Sequence, residues 1–360
     1  MTLTQLHLTL GAALAPDAIP LHYGQPLVEY EMMHDRAVVL DRSHEGRLSV
    51  RGPDRHAFLH RMSTNSITSL SEGQGCVTLF LTPQGRIIER AFVYSHTDEV
   101  ILISEPGRGP ALESLLRRNI FFQDHVTVES LTDATAHLAL HGPQADALME
   151  RLHPHITDSP VLSGQSIVIA GISVLAFRRK RLVGAHWALI CPVNAAPAIF
   201  AALLEMGQPS GVRPAGALAH HVHRVRVGYP SGREVSSDYI PLEVGLWDDL
   251  HFTKGCFTGQ EIIARMESRQ KVARILVTLT LSQMVDAPAP VSYEGREIGT
   301  LTSSAAAPDG NLFGLAVVKR EGAVIGRNVL LGTNAVTASI TGYGGVQPPF
   351  IETLQDNGSE

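Results

Sequence analysis

The chain is 360 residues long, more than one ordinary core holds, and at about 150 residues per domain it divides into two or three. Its 44% apolar and 18% charged residues exclude a disordered or fibrous protein, and no run approaches the roughly 20 apolar residues that span a bilayer. With 29 Lys and Arg against 35 Asp and Glu, a net charge of −6, there is no bulk basic field for nucleic acid, so only a local groove stays open.

Residues 1–35 read as a loop-like extension carrying Pro16, Pro20, Gly24 and Pro26, followed by a short helical EYEMMHD. LHLTLGAALA has the apolar character of a signal h-region. The first Lys or Arg is Arg36, however, so the charged n-region is missing. RLSVRG alternates as a strand, Gly52-Pro53-Asp54 breaks it, and Asp54 is placed to cap a helix whose apolar face is Phe58, Leu59 and Met62.

The same grammar returns ninety residues later. LSVRGPDRHAFLHRM begins at Leu48 and LALHGPQADALMERL at Leu138. Each is a strand, a Gly-Pro corner and an amphipathic helix, which predicts an internal duplication of an α/β unit. Between the copies CVTLFLT, a PQG turn and RIIERAFVYS form a hairpin, EVILIS a third strand and ALESLLRRNIF a helix. In the second half SIVIAG, ISVLAF and WALICP are strands. APAIFAALLEMG is a helix with Gly207 in the left-handed position after its end, and GALAHHVHRVRVG is a helix up to Gly228. From Arg274 the chain turns to short β runs bounded by glycines, a small barrel or sandwich. QPPFIETLQDNGSE is expected to be a mobile tail.

Cys76, Cys191 and Cys256 are odd in number and widely spaced, so they form neither a disulfide framework nor a zinc site. A reducing, cytoplasmic compartment fits them. His220, His221 and His223 show no third ligand nearby and read as a hydrogen-bonded patch rather than a metal site. The run Arg178 to Arg181 reads as a solvated turn, with an anionic partner as the sharper option.

The most informative segment is Lys254-Gly255-Cys256-Phe257-Thr258-Gly259-Gln260-Glu261, followed by Ile262-Ile263-Ala264-Arg265. Thr258 and Glu261 have capping-box spacing, which predicts a helix starting at Gly259. Cys256 then lies just ahead of a helix N-terminus and two residues from Lys254, both of which favour thiolate. A tight loop with a small, inert cysteine is the plainer reading of the same residues.

This segment resembles the signature of the YgfZ-type folate-binding proteins, relatives of the T-protein (aminomethyltransferase, GcvT) of the glycine cleavage system. Leu40-Asp41-Arg42-Ser43, Gly52-Pro53-Asp54, Thr64-Asn65, Leu81 to Arg86 and Tyr239 to Leu246 follow in the family's order, so the resemblance spans about residues 36–345. It implies an α+β fold. An extension (1–35) would lead into a duplicated T-protein-like folate-binding module of two related α/β halves (36–272). A small C-terminal β-barrel (273–345) and a tail (346–360) would follow.

The resemblance also implies a cytoplasmic factor that binds tetrahydrofolate or a derivative and supports assembly or repair of iron–sulfur clusters, including those of enzymes of tRNA modification. Its partners would be folate and iron–sulfur client proteins or assembly factors, with no membrane, no resident metal and no direct nucleic-acid contact firmly indicated. Cys256 would be the working residue. Asn65, Arg86, Glu89, Arg226, Tyr229 and Glu243 would line the folate site, with Lys254, Gly255, Phe257, Thr258, Gly259, Gln260, Glu261 and Arg265 as the motif's frame.

Two departures from the transferase pattern involve three residues. Glu89 and Arg90 stand where aminomethyltransferases carry two adjacent aspartates, and a misplaced carboxylate loses the geometry of fast transfer. Arg226 stands where related folate enzymes place a pterin-binding glutamate in R-x-E-x-G, and a guanidinium only donates. A folate-dependent aminomethyltransferase or other one-carbon transferase remains one alternative, and a folate-free adaptor another.

Overall fold

The computed structural model describes residues 1–352. The N-terminal segment is built rather than loop-like. Helix α1 (Leu3–Thr9) is opened by a capping box in which the Thr2 hydroxyl accepts from the Gln5 amide. β1 (Ala13–Leu14) and β2 (Pro20–His22) form a small hairpin, and α2 spans Pro26–Asp35. His7 is fully buried. Its Nε2 donates to Asp41 at 3.0 Å, so its Nδ1 accepts from the Tyr23 hydroxyl at 2.8 Å. The expected loop is therefore a helix, because a polar signal (Thr2, Gln5) sat ahead of the run that looked like a leader.

The duplication follows. The first copy is β3 (Val38–Asp41), β4 (Glu45–Arg51), α3 (Arg55–Met62), β5 (Gly75–Leu81), β6 (Ile87–Ser95), β7 (Glu99–Pro106) and α4 (Gly109–Arg118). The second is β8 (Thr127–Ser130), β9 (Thr135–Gly142), α5 (Ala145–Leu152), β10 (Ser163–Ile169), β11 (Ile172–Arg179), β12 (Ala185–Pro192) and α6 (Ala196–Gly207). β13 (Arg213–Pro214) and α7 (Ala217–Arg226) close this stretch.

One sheet runs β5-β6-β7-β4-β8 and the other β10-β11-β12-β9-β3-β13. The two orders match over five strands, except that each copy's first strand pairs in the other copy's sheet, and β13 adds a sixth strand parallel to β3. β3 lies antiparallel to β9, and β8 antiparallel to β4. The halves are thus laced together by strand exchange, which a strand–corner–helix pattern cannot reveal.

Corresponding positions do the same work. Leu48 and Val50 on β4, and Leu138 and Leu140 on β9, are fully buried. Gly52 and Gly142 both have positive φ, 104° and 124°. A Cβ there would come within 2.0 Å of the His125 carbonyl and 2.5 Å of the Arg36 carbonyl respectively. Only glycine fits either corner. The two sheets pack through Tyr94, Ile101 and Ile103 against Phe177, Ala188 and Ile190, with the Tyr94 and Phe177 rings stacked at 4.1 Å.

Three local expectations need correction. The Asp54 carboxylate accepts from the His125 amide at 2.9 Å, so it ties down a distant loop instead of capping α3. Gly207 is helical at φ −81°, and the left-handed residue is Gly211. Val212 packs so closely that a Cβ on Gly207 would lie 2.4 Å from it. Arg178 and Arg179 are no solvated turn. Arg178 pairs with Asp146 at 3.0 Å and donates to the Thr157 and Ser159 carbonyls, while Arg179 is buried against Glu45 at 3.3 Å. Alternation along β11 drives one arginine onto each face.

After helix α8 (Gln260–Ser268) the chain forms a closed six-stranded barrel. Its strands are β14 (Arg274–Leu281), β15 (Ala289–Tyr293), β16 (Arg296–Ala306), β17 (Leu312–Lys319), β18 (Asn328–Leu331) and β19 (Val336–Tyr343), in the order β14-β17-β16-β15-β18-β19. Closure leaves no open edge. Residues 346–352 are packed, not trailing. Val346 bridges to Leu246, Ile351 is fully buried, and α9 spans Pro349–Glu352. The rest of the expected tail, 353–360, lies outside the described residues.

By contacts the chain groups into two units, one of 1–59, 67–77 and 91–223, the other of 60–66, 78–90 and 224 onward. Among the described residues no helix is long and apolar enough to cross a membrane.

Candidate functional site

The residues singled out by the sequence fall largely in the second unit. The turn between β5 and β6 is tight: the Gly85 amide donates to the Thr82 carbonyl at 2.9 Å, and the Arg86 amide to the Thr82 hydroxyl at 3.1 Å. The Cys256 motif closes onto this turn. Gly259 has φ 83°, and a Cβ there would lie 2.6 Å from the Thr82 carbonyl. Gly259, not Thr258, is the N-cap of α8, and no side chain caps that helix. The expected capping box is absent because the close approach to the turn fixes a left-handed glycine at the cap, and Thr258 is left exposed. Arg265 and Glu261 pair along the helix at 2.9 Å.

Cys256 is exposed, whereas Cys76 and Cys191 are buried, and all three are free thiols. Burial pushes the Cys191 thiol up to about 12. The Lys254 ammonium donates to the His60 carbonyl and sits 5.5 Å from the centre of the Phe257 ring. Phe257 therefore holds the lysine rather than covering the cysteine.

The acidic-pair slots are rebuilt. Glu89 and Arg90 are both buried. The Arg90 guanidinium donates to the Asp249 carboxylate at 2.7 Å and to the Tyr229 hydroxyl at 2.9 Å, and lies 5.1 Å above the Tyr229 ring. The Glu89 carboxylate accepts the Arg90 amide at 3.0 Å. Asp249 is fixed in turn by Thr64, whose hydroxyl donates to the Asp249 carbonyl at 2.7 Å and accepts the Leu79 amide at 2.9 Å. The Asn65 backbone N–H donates to the Thr78 hydroxyl at 2.9 Å. Sequence reasoning named Asn65, Glu89 and Tyr229 but missed Thr64, Thr78 and Asp249. Thr64 stood beside Asn65 in the motif, while nothing local marks Asp249.

Arg224 finds its acid ten residues on. It pairs with fully buried Glu234 at 3.2 Å, and Ser303 bridges them, accepting from Arg224 at 2.8 Å and donating to Glu234 at 2.7 Å. Arg226, two residues further along the helix, is exposed, its guanidinium 5.8 Å from the Phe313 ring centre. Arg86 and Glu243 do not join the Arg90 cluster's hydrogen bonds but line a cavity of about 1220 Å³ beside the barrel. Both Glu243 oxygens are taken by Arg274, at 3.0 and 2.9 Å. Among the described residues no group of three His, Cys, Asp or Glu could hold a metal ion. His223 instead donates to the Tyr30 carbonyl at 2.9 Å and stacks on the Tyr30 ring.

The change at Arg226 has a direct test. Arg226→Glu restores an acceptor, and a charged hydrogen bond is worth about 1.5–3 kcal/mol. Tetrahydrofolate affinity measured by calorimetry is expected to tighten at least tenfold. An unchanged affinity places position 226 away from the ligand.

Comparison with known proteins adds four findings. The family described as GCVT N-terminal domain matches residues 18–254. A proposed transferase of the Arabidopsis thaliana chloroplast is 30% identical over 325 residues, covering 89% of this chain and 74% of that protein. The aminomethyltransferase of Desulforamulus reducens is 26% identical over 368 residues, covering 97% of each. Among solved structures, the glycine cleavage system aminomethyltransferase T from Bartonella henselae superposes with a TM-score of 0.83 over 98% of each chain, at 22% identity. At that identity the likeness shows the fold.

Proposed function

The chain belongs to the GCVT N-terminal domain family, and from that premise we propose that it is a tetrahydrofolate-binding factor of the YgfZ type. It supports assembly or repair of iron–sulfur clusters, including those of tRNA-modifying enzymes, and Cys256 is its working thiol. The observation that carries the reading is the Arg90–Asp249 pair. Where a transferase would carry the second aspartate of its acidic pair, this chain carries a buried cation neutralised at 2.7 Å by Asp249. Transfer needs its carboxylate within about 0.5 Å of the working geometry, and an arginine cannot supply one. On this reading residues 1–35 are an extension, 36–272 the folate-binding module and 273–345 the barrel, followed by the packed segment 346–352, in a reducing cytoplasm that suits three free thiols.

Asn65, Glu89 and Tyr229 offer an amide, an acid and a phenol, the mix of donors and acceptors that a pterin edge requires. Tetrahydrofolate supplies a carrier for one-carbon units; the chain's own part is to bind and orient it. A second reading, a one-carbon transferase using Glu89, is favoured by the names of the relatives matched over most of the chain.

One set of measurements separates the two. Titration with tetrahydrofolate, with and without a polyglutamate tail, is expected to show saturable binding. An assay with the lipoyl carrier bearing an aminomethyl group is expected to show no turnover above background. Cys256→Ser is expected to fail to restore iron–sulfur enzyme activity in cells lacking the protein. Robust methylenetetrahydrofolate production would establish the second reading, and full complementation by Cys256→Ser would remove the thiol from the mechanism.

A further inference from the structure

The cavity beside the barrel takes in Arg86 and Glu243 of the expected folate set, but both side chains already engage protein groups, Arg86 the Asp238 carbonyl and Glu243 the Arg274 guanidinium, so folate binding does not account for the cavity's other cations. It holds about 1220 Å³, somewhat more than the usual range for a single small-molecule site, roughly 300–1,000 Å³. Arg86, Lys271, Arg274, Lys319 and Arg320 line it, against two carboxylates, Glu243 and Glu321. In a chain of net charge −6 such a concentration of cations is local and not compositional. Concave walls of one sign focus the field and raise the concentration of counter-charged ligand.

The cations differ in what they are already doing. Arg274 is neutralised by Glu243 at 2.9 Å. Arg86 donates to the Asp238 carbonyl at 2.6 Å, and Lys319 to the Glu297 carbonyl at 3.3 Å, so each keeps its charge. Lys271 and Arg320 make no side-chain hydrogen bond or ion pair with any described residue, and neither charge is needed to hold the fold.

The rest of the wall is apolar and pre-formed. Val324 and Ile325 are 46% and 43% exposed and line the cavity with Val272, Ala323 and the Tyr343 ring. The loop that carries them is pinned. The Tyr343 hydroxyl donates to the Ala323 carbonyl at 3.2 Å, the Arg327 guanidinium to the Glu321 carbonyl at 2.7 Å, and the Arg320 amide to the Ala273 carbonyl at 3.0 Å. A rigid apolar wall facing uncommitted cations suits a ligand with both characters.

We propose that this cavity is a second ligand site, taking a small molecule in which two or more phosphates or carboxylates are attached to an aromatic body. The anions meet Lys271, Arg320 and Lys319, and the aromatic body lies on Val324, Ile325 and Tyr343. ATP serves as the phosphate probe and p-aminobenzoyl-tri-γ-glutamate as the carboxylate probe. Tripolyphosphate and tri-γ-glutamate are the body-free counterparts.

By calorimetry, at least one aromatic probe is expected to bind with a Kd below 100 µM and at least tenfold tighter than its counterpart. Which aromatic probe binds identifies the anion. Lys271→Glu and Arg320→Glu are each expected to weaken binding tenfold or more. Ile325→Ser is expected to erase the preference for the aromatic body, and unchanged circular dichroism establishes that each variant is folded. No binding at 1 mM by either aromatic probe, equal affinity for the body-free counterparts, or binding indifferent to both charge reversals would overturn the proposal. Displacement of a bound probe by tetrahydrofolate would show one shared site and overturn it as a second one.

Discussion

Arg90→Met is expected to destabilise the protein by about 3–5 kcal/mol, the cost of leaving a buried charge without its partner. Arg90 and Asp249 are 5% and 2% exposed in their side chains, so water cannot take over from the lost guanidinium. The Tyr229 hydroxyl also loses a donor. Arg90→Lys is expected to fall between, because an ammonium is a point charge and cannot form the fork that reaches Asp249 and Tyr229 together. The double variant Arg90→Met with Asp249→Leu is expected to regain most of the loss, since a well-packed apolar pair often matches a buried ion pair. Urea unfolding of the four proteins checks this. If Arg90→Met alone shifts the midpoint no more than a surface substitution does, about 0.5 kcal/mol, the pair is not structural.

The second large effect is acid destabilisation of the first unit. Glu45 sits at the centre of a buried cluster, 2.8 Å from Arg42, 3.3 Å from Arg179 and 3.2 Å from His137. Burial would raise its carboxyl, but Arg42, Arg179 and His137 together hold it well below the usual range. Burial, with Arg42 as a lesser cause, pushes His44 down to about 4. Burial likewise pushes His137 down to about 4 against the pull of Glu45.

His141 and His186 stack at 3.8 Å and are held well below 6.5, by burial first in both, then by Arg42 and Arg179 at His141 and by the His141 ring and Arg179 at His186. Folded, these imidazoles are neutral; unfolded, they protonate near 6.5. The unfolded chain therefore binds more protons between pH 6.5 and about 4, and stability falls as pH falls through that window. The depressed carboxyls act in the same direction, since their contribution is lost as pH falls through their folded values. A histidine moved from 6.5 to about 4 loses on the order of 2 kcal/mol by pH 5. Thermal or urea unfolding between pH 7.5 and 5 is expected to show a steep decline. His141→Phe keeps the stack without a titrating ring and is expected to flatten it. A flat profile in the parent protein would mean that these rings are not held neutral.

The chain's own pattern determined a good deal. The Gly-Pro corners at 52 and 142, ninety residues apart, announced the duplication, because only glycine survives a positive φ pressed against a carbonyl. The glycine-bounded strands after Arg274 announced the barrel, since alternation and turn chemistry are local. The Cys256 motif was legible because tightly constrained loops spell out their glycines. The tertiary structure decided the rest. The exchange of β3 and β8 between sheets leaves no local trace, because a strand pairs as readily with a distant partner as with a near one. The cap of α8 went to Gly259 because Gly85 of the β5–β6 turn, 174 residues earlier in the chain, presses on it. Asp249 gives Arg90 its meaning from 159 positions away, and the free cations of the barrel cavity become a site only when strand closure gathers them on one wall. Propensity and pattern act over a few residues, whereas charge pairing and close packing are settled by whatever the fold brings within 3 Å.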